Sequence, residues 1–91
     1  DALDGWANQV AADLDLADLE ISLLAYLPKA VRTRLLRKAI YAAGAPTGSI
    51  TAEHVASVEA LVTSWHGQGA CSLPGGVKVS RISGRLSLLS R

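Results

Sequence analysis

Pro28 to Ala39 reads PKAVRTRLLRKA, a stretch that holds Lys29, Arg32, Arg34, Arg37 and Lys38 and no acid. Cations at this density contact phosphate or carboxylate oxygens, arginine through a planar fork and lysine as a point charge. Helical spacing divides them. Leu35, Leu36, Ala39 and Ala43 form the apolar seam, and Arg32 falls on that seam, three and four residues before Leu35 and Leu36. Lys29 and Arg37 lie to one side, whereas Arg34 and Lys38 lie on the opposite face. Two or three of the five could therefore reach phosphates across one flat contact, and more against a concave partner. For Arg32 two readings stand side by side: direct ligand contact, or a structural role, either as an ion pair with the acidic first segment or as a stem packed on the core with its head in water.

The other reactive residue types form no catalytic pattern. Cys71 is the single cysteine, so no internal disulfide can form and a reducing compartment is implied. His54 and His66 make no activating motif with it, which predicts a packed or half-exposed thiol and, for His54 beside Glu53 at a helix start, a surface role. No Gly-rich phosphate loop followed by Lys and Ser or Thr occurs, nor CxxC, nor HExxH. The LPGG run from Leu73 suits a type II turn. These exclusions leave binding as the function class.

Positioning the cations is the task of the rest of the chain, and its acids are segregated from them. All of Asp1, Asp4, Asp13, Asp15, Asp18 and Glu20 precede Lys29, and no Lys or Arg does. Beyond that point all 9 Lys and Arg face only Glu53 and Glu59, so the net charge of +1 hides a strongly dipolar chain. Such asymmetry points to an acidic partner or to two halves that fold against each other. Ninety-one residues make one domain, spanning 1–91, with a modest core, and the 49% apolar content argues against disorder. No apolar run reaches membrane-helix length and no signal peptide opens the chain, which predicts a soluble, cytoplasmic protein. A start at Asp1 without any methionine predicts a fragment of a larger protein.

Along the chain, Leu3, Trp6, Ala7, Val10, Ala11 and Leu14 predict an amphipathic first helix. The alternation of Leu19, Ile21 and Leu23 predicts a short strand ending near Ser22. Pro28 suits the first turn of a helix running to Ala43 and stopped by Gly44 and Pro46. Thr51 is an N-cap for a third helix to Trp65, with Val55, Val58, Leu61, Val62 and Trp65 buried. Ser83-Gly84 predicts a hairpin with Ile82 opposite Arg85. Val77, Val79, Leu86 and Leu88 then share one face with Arg81 at its end, and Lys78 and Arg85 share the other. Residues 66–91 contain no acid, so Lys78, Arg81, Arg85 and Arg91 form a second basic surface. The fold class is α+β, three helices with a small antiparallel sheet or hairpin at the C-terminal end.

The order helix, turn, helix, hairpin also suits a winged-helix DNA-binding module, but the helix that would enter the groove, 51–65, carries two glutamates and no cation. A stronger pattern lies in LLAYLPKAVRTRLLRKAIYAAGAP, ITAEHVASVEALV and GACSLPGGVKVSRISGRLSLL. Together these runs, Leu23 to Leu89, resemble the substrate-binding domain of the tRNA(Ile)-lysidine synthetase family. The resemblance implies a parent ATP-dependent ligase that joins lysine to the wobble cytidine of a minor isoleucine tRNA. It implies that ATP, with Mg, is used by an N-terminal domain whose SGGxDS loop is absent from this chain, so the fragment alone would be inactive. It carries a tRNA-contacting role onto Arg32, Arg37, Lys38 and Arg81; Lys29, Arg34, Lys78 and Arg85 join them from charge and placement. The implied partners are tRNA(Ile) and the chain's own N-terminal catalytic domain, with a structural docking module or homodimer as the alternative. Trp6, Tyr26, Tyr41 and Trp65 sit mostly on apolar seams, so base stacking is not expected to be the main mode.

Overall fold

The structure, a computed structural model, describes residues 1–90. Arg91, assigned above to the second basic surface, lies outside the described residues. In chain order the elements are α1 (Ala2–Ala12), β1 (Asp18–Glu20), α2 (Ile21–Tyr26), α3 (Lys29–Ala42), α4 (Ala52–Thr63), β2 (Cys71–Leu73), β3 (Val77–Ile82) and β4 (Arg85–Leu89). The strands form one antiparallel sheet in the order β1-β4-β3-β2. The α+β class holds, with four α-helices where three were expected. The sheet is also more than a C-terminal hairpin, because β1 comes from the first quarter of the chain.

The sheet is covered on one face only. Leu19, Leu73, Val77, Val79, Leu86 and Leu88 turn inward and are buried with Leu35, Leu36 and Ile40 of α3 and Val58 and Leu61 of α4. Truncating any of these fully buried leucines would cost about 2–5 kcal/mol. The opposite sheet face carries Lys78, Ser80, Ile82, Arg85, Ser87 and Leu89, in the alternation expected of a half-solvated antiparallel sheet.

The expected strand through Ser22 is cut short at Glu20. Ile21, Leu24 and Leu27 are the buried residues, and their spacing of three is helical, whereas Leu23 is only half-buried and Tyr26 is exposed. The Ile21 N–H donates to the Gly84 carbonyl at 3.0 Å, which joins the start of α2 to the hairpin turn. Pro28 ends α2 by holding Leu27 extended, with ψ 146°. It also caps α3, since the Pro28 carbonyl accepts from the Val31 and Arg32 N–H groups at 3.0 and 2.8 Å. α1 begins at Asp1, whose side chain accepts from the Asp4 N–H at 2.8 Å.

α4 opens with a reciprocal cap in which a histidine takes the place of the usual glutamate. Thr51 Oγ1 accepts from the His54 N–H at 3.2 Å, and His54 Nδ1 accepts from the Thr51 N–H at 3.0 Å. Trp65 departs from expectation: α4 ends at Thr63, and Trp65 lies beyond it, 42% exposed.

Two turns place the hairpin. Ser83 and Gly84 both take positive φ, 51° and 75°, as a two-residue hairpin of this hand requires, and the expected Ile82–Arg85 pairing forms. Gly75, at φ 82° and ψ 11°, is the left-handed residue of the type II turn after Pro74. A Cβ on Gly75 would stand 2.8 Å from both the Gly44 carbonyl oxygen and Pro46 Cδ, so this turn packs directly on the loop that ends α3. Gly84 has open space around the same position. Gly75→Ala should therefore lower unfolding free energy by about 2–4 kcal/mol, left-handed strain plus a backbone clash, and Gly84→Ala by about 1–2 kcal/mol. Urea titrations of the two variants beside the parent measure this; equal losses would remove the close packing from the account.

Candidate nucleic-acid interface

α3 displays its five cations in three different environments. Arg32 is 9% exposed and Glu59, from α4, is 8% exposed. Arg32 Nε donates to Glu59 Oε2 at 3.0 Å, and Nη2 lies 3.0 Å from the same oxygen. Nη1 donates to the Leu27 carbonyl at 2.8 Å and to that of Leu24 at 3.4 Å. Those carbonyls lie at the C-terminal end of α2, where that of Leu24 also accepts from the Leu27 N–H at 3.3 Å. One guanidinium thus joins α2, α3 and α4. Of the two readings of Arg32, the ion pair is the one formed, but its partner is Glu59 rather than the acidic first segment, and no incoming phosphate meets an exposed fork there.

Arg34 is the residue that meets the acidic segment. Its Nε donates to Asp4 Oδ1 at 2.9 Å, with Asp1 Oδ2 4.0 Å from Nη2. The pair is solvent-exposed and contributes about 0.2–1 kcal/mol. On the hairpin, Arg85 makes a similar contact: Nε donates to Asp18 Oδ1 at 2.7 Å across β4 and β1. This hydrogen bond, together with the Asp18 charge, holds the Arg85 guanidinium even further above its ordinary range. The two halves of the dipolar chain therefore do neutralise each other, at these two places.

Among the described residues, no carboxylate lies within ion-pair distance of Lys29, Arg37, Lys38, Lys78 or Arg81. Lys29 and Lys38 are exposed, and Arg37 is half-buried because it donates to the Ile50 carbonyl and so ties α3 to the loop before α4. A groove of about 540 Å³ between α3 and α4 is lined by Lys29, Thr33, Arg34 and Arg37 with Val55 and Ala56. A second, of about 240 Å³, is lined by Asn8, Arg34, Arg37, Lys38 and Tyr41, and Asp4 borders both. From Lys29 to Lys38 the helix rises about 13 Å, the axial length of roughly four nucleotide steps.

The hairpin cations occupy other surfaces. Lys78 and Arg85 lie on the sheet face turned away from the helices. Arg81 lies on the inner side at the end of β3, where its Nη1 donates to the Leu61 carbonyl at 2.9 Å and its guanidinium carbon stands 5.0 Å from the centroid of the Trp65 ring. The helical spacing that predicts a buried Trp65 does not predict this pair; the signal for it is the Gly67-Gln68-Gly69 run just beyond, whose Gln68 side chain folds back onto the Ala60 and Ser64 carbonyls after α4 has ended at Thr63. Cys71 is half-buried, its Sγ 3.6 Å from the Ser57 carbonyl, and burial pushes the thiol pKa up, away from nucleophile chemistry. α4 presents Glu53 and Ser57 outward and no cation, so it has nothing to offer a DNA groove.

The family model described as the TilS substrate binding domain matches residues 19–87. The chain belongs to that family. The matched span runs from β1 to β4 and leaves out α1, so the TilS substrate-binding domain as matched includes Arg34 but not its partner Asp4. A tRNA(Ile)-lysidine synthase of Streptomyces coelicolor is 50% identical over 88 residues, 94% of this chain and 25% of that protein. Proteins of the same name from Thermobifida fusca and Corynebacterium diphtheriae are 46% and 41% identical, over 94% and 86% of the chain and 27% and 26% of their own lengths. The chain spans about a quarter of the length of the curated relatives it matches. No solved structure matches it.

The Arg32–Glu59 contact has a measurable signature within this TilS domain. Glu59→Leu leaves the Arg32 charge buried without its partner and should cost about 3–5 kcal/mol of unfolding free energy. Arg34→Ala, which removes an exposed pair, should cost under about 1 kcal/mol. Denaturant midpoints measured for both variants decide it; a Glu59→Leu variant as stable as Arg34→Ala would mean that the buried pair does not hold the three helices together.

Proposed function

We propose that this chain is the tRNA-gripping part of a tRNA(Ile)-lysidine synthase, the ligase that attaches lysine to the wobble cytidine of a minor isoleucine tRNA. The observation that carries the reading is that Lys29, Arg37 and Lys38 project from one helix with no acid paired to them, on a chain of the TilS substrate-binding family. Phosphate contacts from such residues supply most of the affinity of a nucleic-acid complex and set its register. Arg34 joins them by exchanging Asp4 for a phosphate, and Lys78, Arg81 and Arg85 extend the contact to the hairpin. Arg32 belongs to the scaffold beneath. The longer protein works on tRNA in the cytoplasm, and among the described residues no helix is long and apolar enough to cross a membrane.

The residues present do not fit ATP or Mg. The SGGxDS loop is absent from the sequence, and the Pro74-Gly75-Gly76 turn is no phosphate loop, since Gly75 packs its Cα against Gly44 and Pro46. Among the described residues no cluster of His, Cys, Asp and Glu could hold a metal. In this reading, nucleotide and lysine chemistry is assigned to an N-terminal catalytic domain of the longer protein, and these residues hold and orient the RNA. A second reading, docking against that catalytic domain, has its own observation: Ile82 and Leu89 are exposed on the outer sheet face, Leu89 opposite Lys78 and Ile82 opposite Arg85.

The test is the salt dependence of binding between this chain and isoleucine tRNA, with an unrelated tRNA as comparison. Each lost phosphate contact reduces the slope of log affinity against log salt by roughly 0.7–0.9. The double variant Lys29→Ala, Lys38→Ala should therefore flatten the slope by about 1.4–1.8 without changing the unfolding midpoint. A slope equal to the parent's removes these lysines from the interface. Absence of tRNA binding even at low salt favours the docking reading.

A further inference from the structure

From the geometry at the C-terminal end of α4, we infer that Trp65 and Arg81 form a stacking site for an unpaired nucleobase of the bound RNA. The inference rests on the tRNA-binding reading above and adds to it a ligand chemistry that the helix cations cannot supply. Phosphate contacts hold a backbone without regard to its bases, whereas an exposed indole recognises the flat face of a base.

Trp65 is 42% exposed although it is among the largest apolar side chains of the domain, and the surrounding contacts hold its position instead of burying it. Gln68 makes three hydrogen bonds around it. Its Oε1 accepts from the His66 N–H at 2.8 Å, and its Nε2 donates to the Ala60 and Ser64 carbonyls, both at 3.3 Å. Those two carbonyls lie in the last turn of α4 and its cap, so Gln68 closes the helix end and fixes the backbone on either side of the indole. Gly67, at φ 83°, makes the reversal that lets Gln68 fold back.

Arg81 reaches the same indole from β3, with its guanidinium carbon 5.0 Å from the ring centroid, within cation–π range. The hydrogen bond from Nη1 to the Leu61 carbonyl, at 2.9 Å, fixes the guanidinium in that pose without any acid. The charge therefore stays available to a phosphate next to the stacked base. From Ala60 to Ser90 the chain contains no Asp or Glu, and among the described residues no carboxylate lies within ion-pair distance of Arg81. Two conditions for single-strand recognition thus coincide, a partly exposed indole on a fixed stretch of backbone and a cation with no carboxylate in ion-pair range. Protein partners also use exposed tryptophans, but a neighbouring arginine free of any acidic partner favours RNA.

The site is read through Trp65 itself. In a Trp6→Phe background Trp65 is the single tryptophan, and its fluorescence reports base contact directly. The chain is titrated with isoleucine tRNA, with an eight-nucleotide single-stranded RNA, and with an abasic strand of equal phosphate number. Quenching by both base-bearing ligands and not by the abasic strand is the expected result. Trp65→Ala should weaken binding of the single strand by roughly 5- to 150-fold, the fold-change equal to about 1–3 kcal/mol per stacked base. The slope against salt should stay unchanged, and Trp65→Phe should retain most of the affinity. Equal quenching by the abasic strand, or full affinity in Trp65→Ala, overturns the stacking site. If the lysine double variant still flattens the salt slope in that case, the tRNA reading survives alone. Loss of all RNA binding overturns both readings. A concentration-dependent shift of Trp65 emission without RNA would assign the pair to a protein contact instead.

Discussion

The fold turns on one buried charge. Arg32 projects from a helix whose other cations face solvent, and it is tolerated inside because a carboxylate and two helix-end carbonyls meet it at 2.8–3.4 Å. A lone buried guanidinium would be strongly unfavourable, so Glu59 and the end of α2 must stay where they are for α3 to remain packed. The constraint passes outward from there. α2 is held at its C-terminal end by Arg32 and at its start by the hairpin turn, so the short element missed by simple alternation becomes the strut between the helices and the sheet. No buried side-chain polar atom among the described residues lacks a partner, which is the condition for such a network to stabilise rather than strain the core.

Charge segregation along the chain then acquires a spatial meaning. The acidic N-terminal segment does not cover the basic helix. It touches it at Arg34 and touches the hairpin at Arg85, leaving Lys29, Arg37 and Lys38 on α3, and Lys78 and Arg81 on β3, without an acidic partner. A helix that looks uniformly basic in sequence is thus sorted by packing into one internal residue, one surface pair and three open cations. Ion pairs in solvent are weak enough for a denser anion to displace, and the buried pair is not. Helix geometry and burial, not residue type, decide which arginine is structural.

Much of this was legible before any coordinates. The hairpin register, the type II turn at LPGG, the two long helices and the apolar sheet face follow from two- and 3.6-residue periods and from glycine placement. What was not legible has specific causes. Ile21, Leu24 and Leu27 overlap an alternating pattern with a helical one, and only the extended backbone imposed before Pro28, with the Gly84 carbonyl waiting at Ile21, selects the helix. Strand β1 needs a partner some 67 residues away, which no local pattern announces. Arg32 on an apolar seam signals an internal role, but its partner Glu59 lies 27 residues away on another helix, and nothing local marks that glutamate as its complement. Trp65 carried a core-like spacing but fell past the end of its helix.

The pairing of β1 with β4 sets how the domain is made as well as how it stands. The buried pair Leu19 and Leu86, where edge strand β1 meets β4, joins segments from opposite ends of the chain, and β2 and β3 arrive late as well. Closing so long a loop is entropically costly before the strand contacts reward it, and topologies dominated by such contacts fold slowly. On a ribosome the helices emerge first and carry an unsheeted apolar surface until the hairpin follows. Synthesis order therefore leaves the cationic helix exposed and nearly complete while the core beneath it still waits for its last five-residue strand.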